Sequence, residues 1–231
     1  GTGVIKSNET TTVTLSFDVK DVGVDDDILI EVDWGDGRPG AKYVHPIKVN
    51  DGDSFSVTYT YLDDDPTATP SDDFEVTVRL TDDDNETAED KATVTVENLD
   101  PENVDLGGDQ TINLNDSYTF TADFDDEGTL DTHEFTWTIT DPNGTAVVVP
   151  KSSNSSYTVN GTIGGTWTVS VDVEDDDTGK GTATTSLVVE DGGVIVDADP
   201  EVDENGSVSA TFTLDLQSPT TTATTLQVSW G

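Results

Sequence analysis

Phe74–Asn98 reads FEVTVRLTDDDNETAEDKATVTVEN, and Trp167–Asp191 reads WTVSVDVEDDDTGKGTATTSLVVED; the two segments align without a gap. Phe74 meets Trp167 and Val76 meets Val169. Asp82, Asp83 and Asp84 meet Asp175, Asp176 and Asp177, and Val94 and Val96 meet Leu187 and Val189. On both sides of each acidic run apolar and polar residues alternate, the period of half-buried strands. Aspartate is a poor former of strand and helix, so the runs belong to turns. A strand pair repeated after about a hundred residues is a repeat of whole domains.

The same alternation runs outward from these segments, as in Val13, Leu15, Phe17 and Val19, and no helical period is sustained anywhere. The fold class is therefore all-β. Phe17 precedes Trp34 by the spacing at which Phe120 precedes Trp137, and Phe212 precedes Trp230 by one residue more. Three units follow: 1–98, 99–191, and 192–231 as the first half of a third, completed by further chain or by a neighbouring subunit. Each unit divides into about seven strands, which predicts tandem antiparallel β-sandwiches of immunoglobulin-like type. Trp34, Trp137, Trp167 and Trp230, with Phe17, Phe120 and Phe212, are the expected core residues. The joints ENLDPENV and DADPEV carry one proline each and no Gly/Ser spacer, so the domains are expected to touch and the array to be stiff.

The chain has 231 residues, 32% of them hydrophobic, and sets 49 acidic side chains against 9 lysines and arginines, a net charge of −40. That charge repels nucleic acid and anionic membrane surfaces. With no cysteine there is neither a disulfide nor a thiolate ligand. No apolar run approaches the roughly 20 residues of a membrane span and no signal peptide stands at Gly1, so the chain reads as a mature protein or an excised piece. Two carboxylates about 4 Å apart repel by roughly 1 kcal/mol even in water. Divalent cations offset that repulsion, and so does brine, the halophilic alternative.

WGDG at Trp34–Gly37, the strand and turn FEVTVRLTDDD, and the joint continuing through ENLDPENVDLGGDQTINLNDSYTFTADFDDEG resemble the PKD (polycystic kidney disease) domain, with its W-x-F-G-D-G-like motif and N-x-x-P joint. The second unit departs from the motif, with WTITDPNG at Trp137–Gly144. The resemblance implies a seven-stranded sandwich used in extracellular proteins as a spacer, adhesive or binding module.

In that topology the loop after the second strand and the turn between the last two lie at one end of the domain. The second unit then gathers Asp125, Asp126, Glu127 and Asp131 with Asp175, Asp176 and Asp177, beside Asp100 of the joint. The first unit gathers Asp21, Asp25, Asp26 and Asp27 with Asp82, Asp83 and Asp84. Oxygen donors without nitrogen or sulfur suit Ca²⁺. DFDDEGTLDTHE, Asp123–Glu134, also matches the spacing of an EF-hand loop through Asp123, Asp125, Glu127, Asp131 and Glu134. Asp36 is an outside candidate.

Seven of the eleven asparagines, Asn8, Asn85, Asn115, Asn143, Asn154, Asn160 and Asn205, open N-x-[ST] sequons, where composition predicts roughly a quarter. His45 and His133 stand in different units with no nucleophile elbow or metalloprotease motif, so catalysis is not expected. These features predict a structural or adhesive segment of an extracellular, cell-surface or filament protein. Its joints are calcium-supported, its turns carry N-glycans, and its partners are further repeats or copies of itself, with surface glycans or proteins besides. The alternative is an accessory carbohydrate- or protein-binding module of a secreted enzyme.

Overall fold

The computed structural model describes residues 4–20, 27–38, 42–48, 52–191, 194–198 and 212–216. Among these every regular element is a strand, and no helix is long and apolar enough to cross a membrane. The first sandwich comprises β1 (Val4–Asn8), β2 (Thr12–Asp18), β3 (Asp27–Asp33), β4 (Lys42–Lys48), β5 (Ser54–Thr60), β6 (Ser71–Thr81) and β7 (Thr87–Glu97). One sheet has the order β1-β7-β6-β3-β4 and the other pairs β2 with β5. Alternation places Val13, Leu15 and Val57 of the small sheet in one buried cluster with Ile30, Val32, Val76, Val94 and Val96 of the large one. Each such side chain contributes about 1.5–3 kcal/mol by leaving water.

The second sandwich comprises β8 (Glu102–Asp105), β9 (Gln110–Asn113), β10 (Ser117–Thr121), β11 (Asp123–Asp125), β12 (Glu134–Thr140), β13 (Ala146–Val148), β14 (Ser156–Asn160), β15 (Gly165–Glu174) and β16 (Lys180–Glu190). The sheet β13-β12-β15-β16-β9 faces the pairs β10-β14 and β8-β11. The count exceeds seven by two because one strand changes partner and divides into β10 and β11, and β8 is added as the partner of β11. Ala122 still donates its N–H to Ser155 O at 2.8 Å; beyond it the register shifts between Asp123 and Asp125, and the chain joins β8. Such an irregularity leaves no mark in the alternation of residues. Both sandwiches also share a parallel pairing within otherwise antiparallel sheets: β1 lies along β7 and β9 along β16, with Asn8 opposite Glu97 and Asn113 opposite Glu190.

The hydrogen-bond registers correct one correspondence. Val32 pairs with Val78, whereas Trp137 pairs with Val171, the residue that aligns with Val78. Trp137 therefore corresponds to Val32, and Trp34 to Ile139. In the small sheets Phe17 likewise corresponds to Ala122, and Leu15 to Phe120. Equal Phe-to-Trp spacing misleads here because a slip of two residues keeps every side chain on the same face of a strand. Trp34 and Trp137 are each 1% exposed all the same, and Trp167 and Phe120 are buried while Phe17 is half-buried. In the third unit β17 (Val194–Ala198) pairs antiparallel with β18 (Phe212–Leu216), which Phe212 opens; Trp230 lies outside the described residues.

Candidate metal centre

Where the two sandwiches meet, loops from both converge on the joint Asn98–Pro101. From the first comes Glu9. Its N–H donates to Glu97 O at 3.0 Å, and the next residue, Thr10, takes φ 55° and donates to Tyr61 O at 2.6 Å, which pins the turn after β1. The Glu9 side chain is fully buried, and its Oε1 accepts the N–H of Leu99 in the joint at 2.7 Å. Asp63 and Asp64 follow Tyr61 in the loop between β5 and β6. Asp63 accepts from Asp65 N and from Arg38 Nη2, both at 2.8 Å, while Asp64 is fully buried.

The second sandwich supplies the β11–β12 loop and the β15–β16 turn. Asp126 accepts Gly128 N at 3.0 Å through Oδ1 and meets His133 Nε2 at 2.7 Å through Oδ2. The His133 ring packs on Phe124 with centroids 4.7 Å apart. Asp131 sits over Gly128, where a Cβ would strike its carboxylate, and Asp176 holds the loop by accepting Thr132 N at 2.8 Å. Asp175 Oδ1 accepts the N–H groups of Asp177 (3.0 Å) and Gly179 (2.7 Å), and its Oδ2 accepts Asn98 Nδ2 at 3.0 Å. The turn is thereby tied to the joint.

Carboxylate oxygens of Glu9, Asp126 and Asp131 lie within 4.8 Å of one another, and so do those of Asp63, Asp131 and Asp177. Glu9 Oε2, both oxygens of Asp64, both of Asp131 and Asn98 Oδ1 are buried without any hydrogen-bond partner. A buried anion without a partner is costly, so such groups hold protons or take a cation. Burial first, and the neighbouring carboxylates after it, push Glu9 up to about 7, Asp64 and Asp131 to about 8 and Asp177 to about 6. Without a cation these groups bind protons more tightly folded than unfolded. The stability they supply is complete below the ordinary carboxyl range near pH 4 and is lost as pH rises through their folded values. Among the described residues only oxygen donors face the cluster apart from His133, whose Nε2 is engaged by Asp126. That donor set matches a hard divalent cation such as Ca²⁺.

Of the residues singled out in sequence, the structure brings together Asp126, Asp131, Asp175 and Asp177, with Asp176 supporting them. Asp100 and Glu127 are exposed and line a groove shared with Asp126. The EF-hand spacing does not describe the cluster: of its carboxylates only Asp131 takes part. Asp123 and Asp125 lie on the exposed face of β11, Asp125 bonds Asn103 Nδ2 at 3.0 Å, and Glu134 pairs with Lys151 at 3.1 Å. Strand alternation turns 123 and 125 away and leaves the intervening loop to aim 126 and 131. Asp82, Asp83 and Asp84 reproduce the Asp175 turn, with Glu86 N donating to Asp82 Oδ1 at 2.7 Å, but lie at the far end of the first sandwich, Asp82 half-buried and Asp83 and Asp84 exposed. Asp27 is exposed at the start of β3, and Asp21, Asp25 and Asp26 lie outside the described residues. Asp36 caps its own turn, accepting Arg38 N at 3.0 Å and the Tyr59 hydroxyl.

Glu9, Asp63 and Asp64 were not singled out as ligands. Their structural counterparts in the second sandwich explain why. Leu114 N donates to Glu190 O as Glu9 N does to Glu97 O, and Asn115 N to Gly161 O as Thr10 N does to Tyr61 O. Leu114, Ile163 and Gly164 thus stand where Glu9, Asp63 and Asp64 do, and comparing the units erases the signal. A run of three aspartates, Asp63–Asp65, just past the end of β5 was the signal available.

No family model and no curated protein matches the chain. Among solved structures it is similar to the fibronectin(III)-like modules of Clostridium thermocellum CbhA, at 12% identity over 82% of this chain and 91% of that one, with a TM-score of 0.33. It is similar to a tetra-tandem repeat in the extending region of a large adhesion protein, at 16% identity over 90% of this chain and 60% of that one, with a TM-score of 0.44. The FN1–FN3 domains of chicken CNTN1 match at 15% identity over 90% and 73%, with a TM-score of 0.33. Likeness at that level bears on neither activity nor partner. The chain's own sheets give its class: all-β, in tandem immunoglobulin-like sandwiches.

Proposed function

We propose that this chain is a structural, adhesive segment of an extracellular cell-surface or filament protein, a stiff tandem array in which calcium closes the joint between the first two sandwiches. The observation that carries it is the buried carboxylate cluster contributed from both sides of one joint. Seven acidic side chains, Glu9, Asp63, Asp64, Asp126, Asp131, Asp175 and Asp177, meet there with Arg38 and His133 as the cationic or ionisable partners in contact. A dication held by both domains converts mutual repulsion into a cross-link. Extracellular calcium modules work at roughly 0.1–1 mM, so the joint would be stiff where calcium is millimolar and loose where it is not.

Kinship with PKD repeats belongs to this proposal and rests on the WGDG and joint motifs. N-glycans belong to it too: Asn8, Asn85, Asn115, Asn143, Asn154 and Asn160 are exposed, and Asn205 lies outside the described residues. The accessory-module alternative is the weaker one, because no aromatic side chain of known exposure among the described residues is exposed to stack on a sugar ring.

The absence of cysteine makes a distance measurement direct. Thr58 and Thr184 are exposed, one in each sandwich, and Thr58→Cys with Thr184→Cys accept spin labels at those sites alone. A narrow inter-label distance distribution is expected in calcium and a broad one in chelator, at about 0.15 M salt. A distribution that ignores calcium and narrows only in molar KCl would assign the acidity to brine instead.

A further inference from the structure

We propose that the joint is binuclear, with one divalent cation of the calcium class held by Glu9, Asp126 and Asp131, a second held by Asp63, Asp131 and Asp177, and Asp131 bridging the two. The inference rests on the cation-closed joint proposed above and specifies its stoichiometry and ligands. Within each trio the oxygens lie no more than 4.8 Å apart, as ligands of one ion do when each bond is about 2.3–2.6 Å. Asp131 alone belongs to both trios, and both of its oxygens are buried without a partner, one available to each ion.

Besides Asp131, three groups at the same joint carry unmatched buried oxygens. Glu9 and Asp64 are each 0% exposed, and Glu9 Oε2 and both Asp64 oxygens lack partners, as does Asn98 Oδ1. In a folded protein nearly every buried polar atom is paired, so four such atoms at one joint, besides the two on Asp131, call for a cationic partner. A single dication would leave five of the seven carboxylate charges uncompensated. Two leave three, and Arg38 lies 2.8 Å from Asp63. Calcium fits better than magnesium, which keeps its own waters and demands a near-ideal octahedron. Irregular, carboxylate-rich, water-poor cages suit calcium's six to eight ligands.

The corresponding end of the second sandwich is built differently. Leu114, Ile163 and Gly164 replace Glu9, Asp63 and Asp64, so the end of the second sandwich offers none of the carboxylates that the first sandwich contributes. Among the described residues both carboxylate trios belong to the first joint, and the expected tight stoichiometry is that of the two ions held there.

Calorimetric titration of the metal-free 231-residue chain with CaCl₂ tests this. The expected result is two tightly bound ions in the natural sequence, one in Glu9→Gln and one in Asp63→Asn, and a loss of both in Asp131→Asn, with affinity reduced more than about tenfold. In chelator Asp131→Asn should melt no lower than the natural chain, since it replaces a buried carboxyl without a hydrogen-bond partner by a neutral amide of the same shape; this separates loss of ligand from loss of fold. One ion in the natural chain, or Asp131→Asn retaining one at full affinity, overturns the shared centre while leaving a mononuclear joint standing. No tight binding overturns both.

Discussion

At about pH 8 and moderate salt, calcium at about a hundred times its dissociation constant is expected to raise the melting temperature of this chain by about 10–20 °C. Each site filled to that degree stabilises the folded state by about 2.7 kcal/mol, and each kcal/mol moves the midpoint of a chain this size by about 2–4 °C. The same addition at about pH 5 should give a smaller rise. In the metal-free protein Glu9, Asp64, Asp131 and Asp177 are held above their ordinary values by burial, so they are protonated there and calcium must displace the protons. Stability in chelator should fall as pH rises through about 6 to about 8, and stability in calcium should not. Thermal scans at the two pH values, with and without chelator, measure both. Equal melting temperatures in calcium and chelator at pH 8 would remove the cation from the joint.

Trp34→Ala should cost about 3–5 kcal/mol, as truncation of a fully buried large aromatic does. Trp34 is 1% exposed, stacks on Tyr59 at 5.3 Å between centroids and meets the edge of Tyr61 at 6.4 Å. The Tyr61 hydroxyl donates to Trp34 O at 2.9 Å, and Tyr61 O accepts Thr10 N. Trp34 thus braces the residue that positions both Glu9 and the Asp63–Asp64 loop. The cavity left by Trp34→Ala should therefore weaken calcium binding as well as the fold. Trp137→Ala, in the core of the other sandwich, should cost a similar amount. Urea unfolding gives the stabilities, and calcium titration under native conditions gives the coupling. Unchanged calcium affinity in a folded Trp34→Ala chain would detach the core from the site.

Much of the fold was legible because strand alternation is local. The segments at Phe74 and Trp167 encode their hairpins and turns by residue type alone, and Val76, Val94, Val169 and Leu187 are buried with 0% exposure. What alternation cannot encode is which strand lies beside which. The parallel contact of β1 with β7 and the partner change at Ala122 depend on residues far apart in sequence. Alternation is also blind to slips of two, which is how Trp34 and Trp137 came to look equivalent. The site divides the same way. Asp126, Asp131, Asp175 and Asp177 follow from the topology of one sandwich, whereas Glu9, Asp63 and Asp64 enter only because the exit of one domain abuts the start of the next. A gapless repeat invites comparison of like with like, and a joint is made of unlike ends.

Crystals grown with calcium and measured for its anomalous scattering test the central claim most directly. Peaks are expected between the sandwiches, about 2.3–2.6 Å from oxygens of Asp131, one toward Glu9 and Asp126 and the other toward Asp63 and Asp177. Peaks confined to acidic turns such as Asp82–Asp84, with nothing beside Asp131, would contradict it.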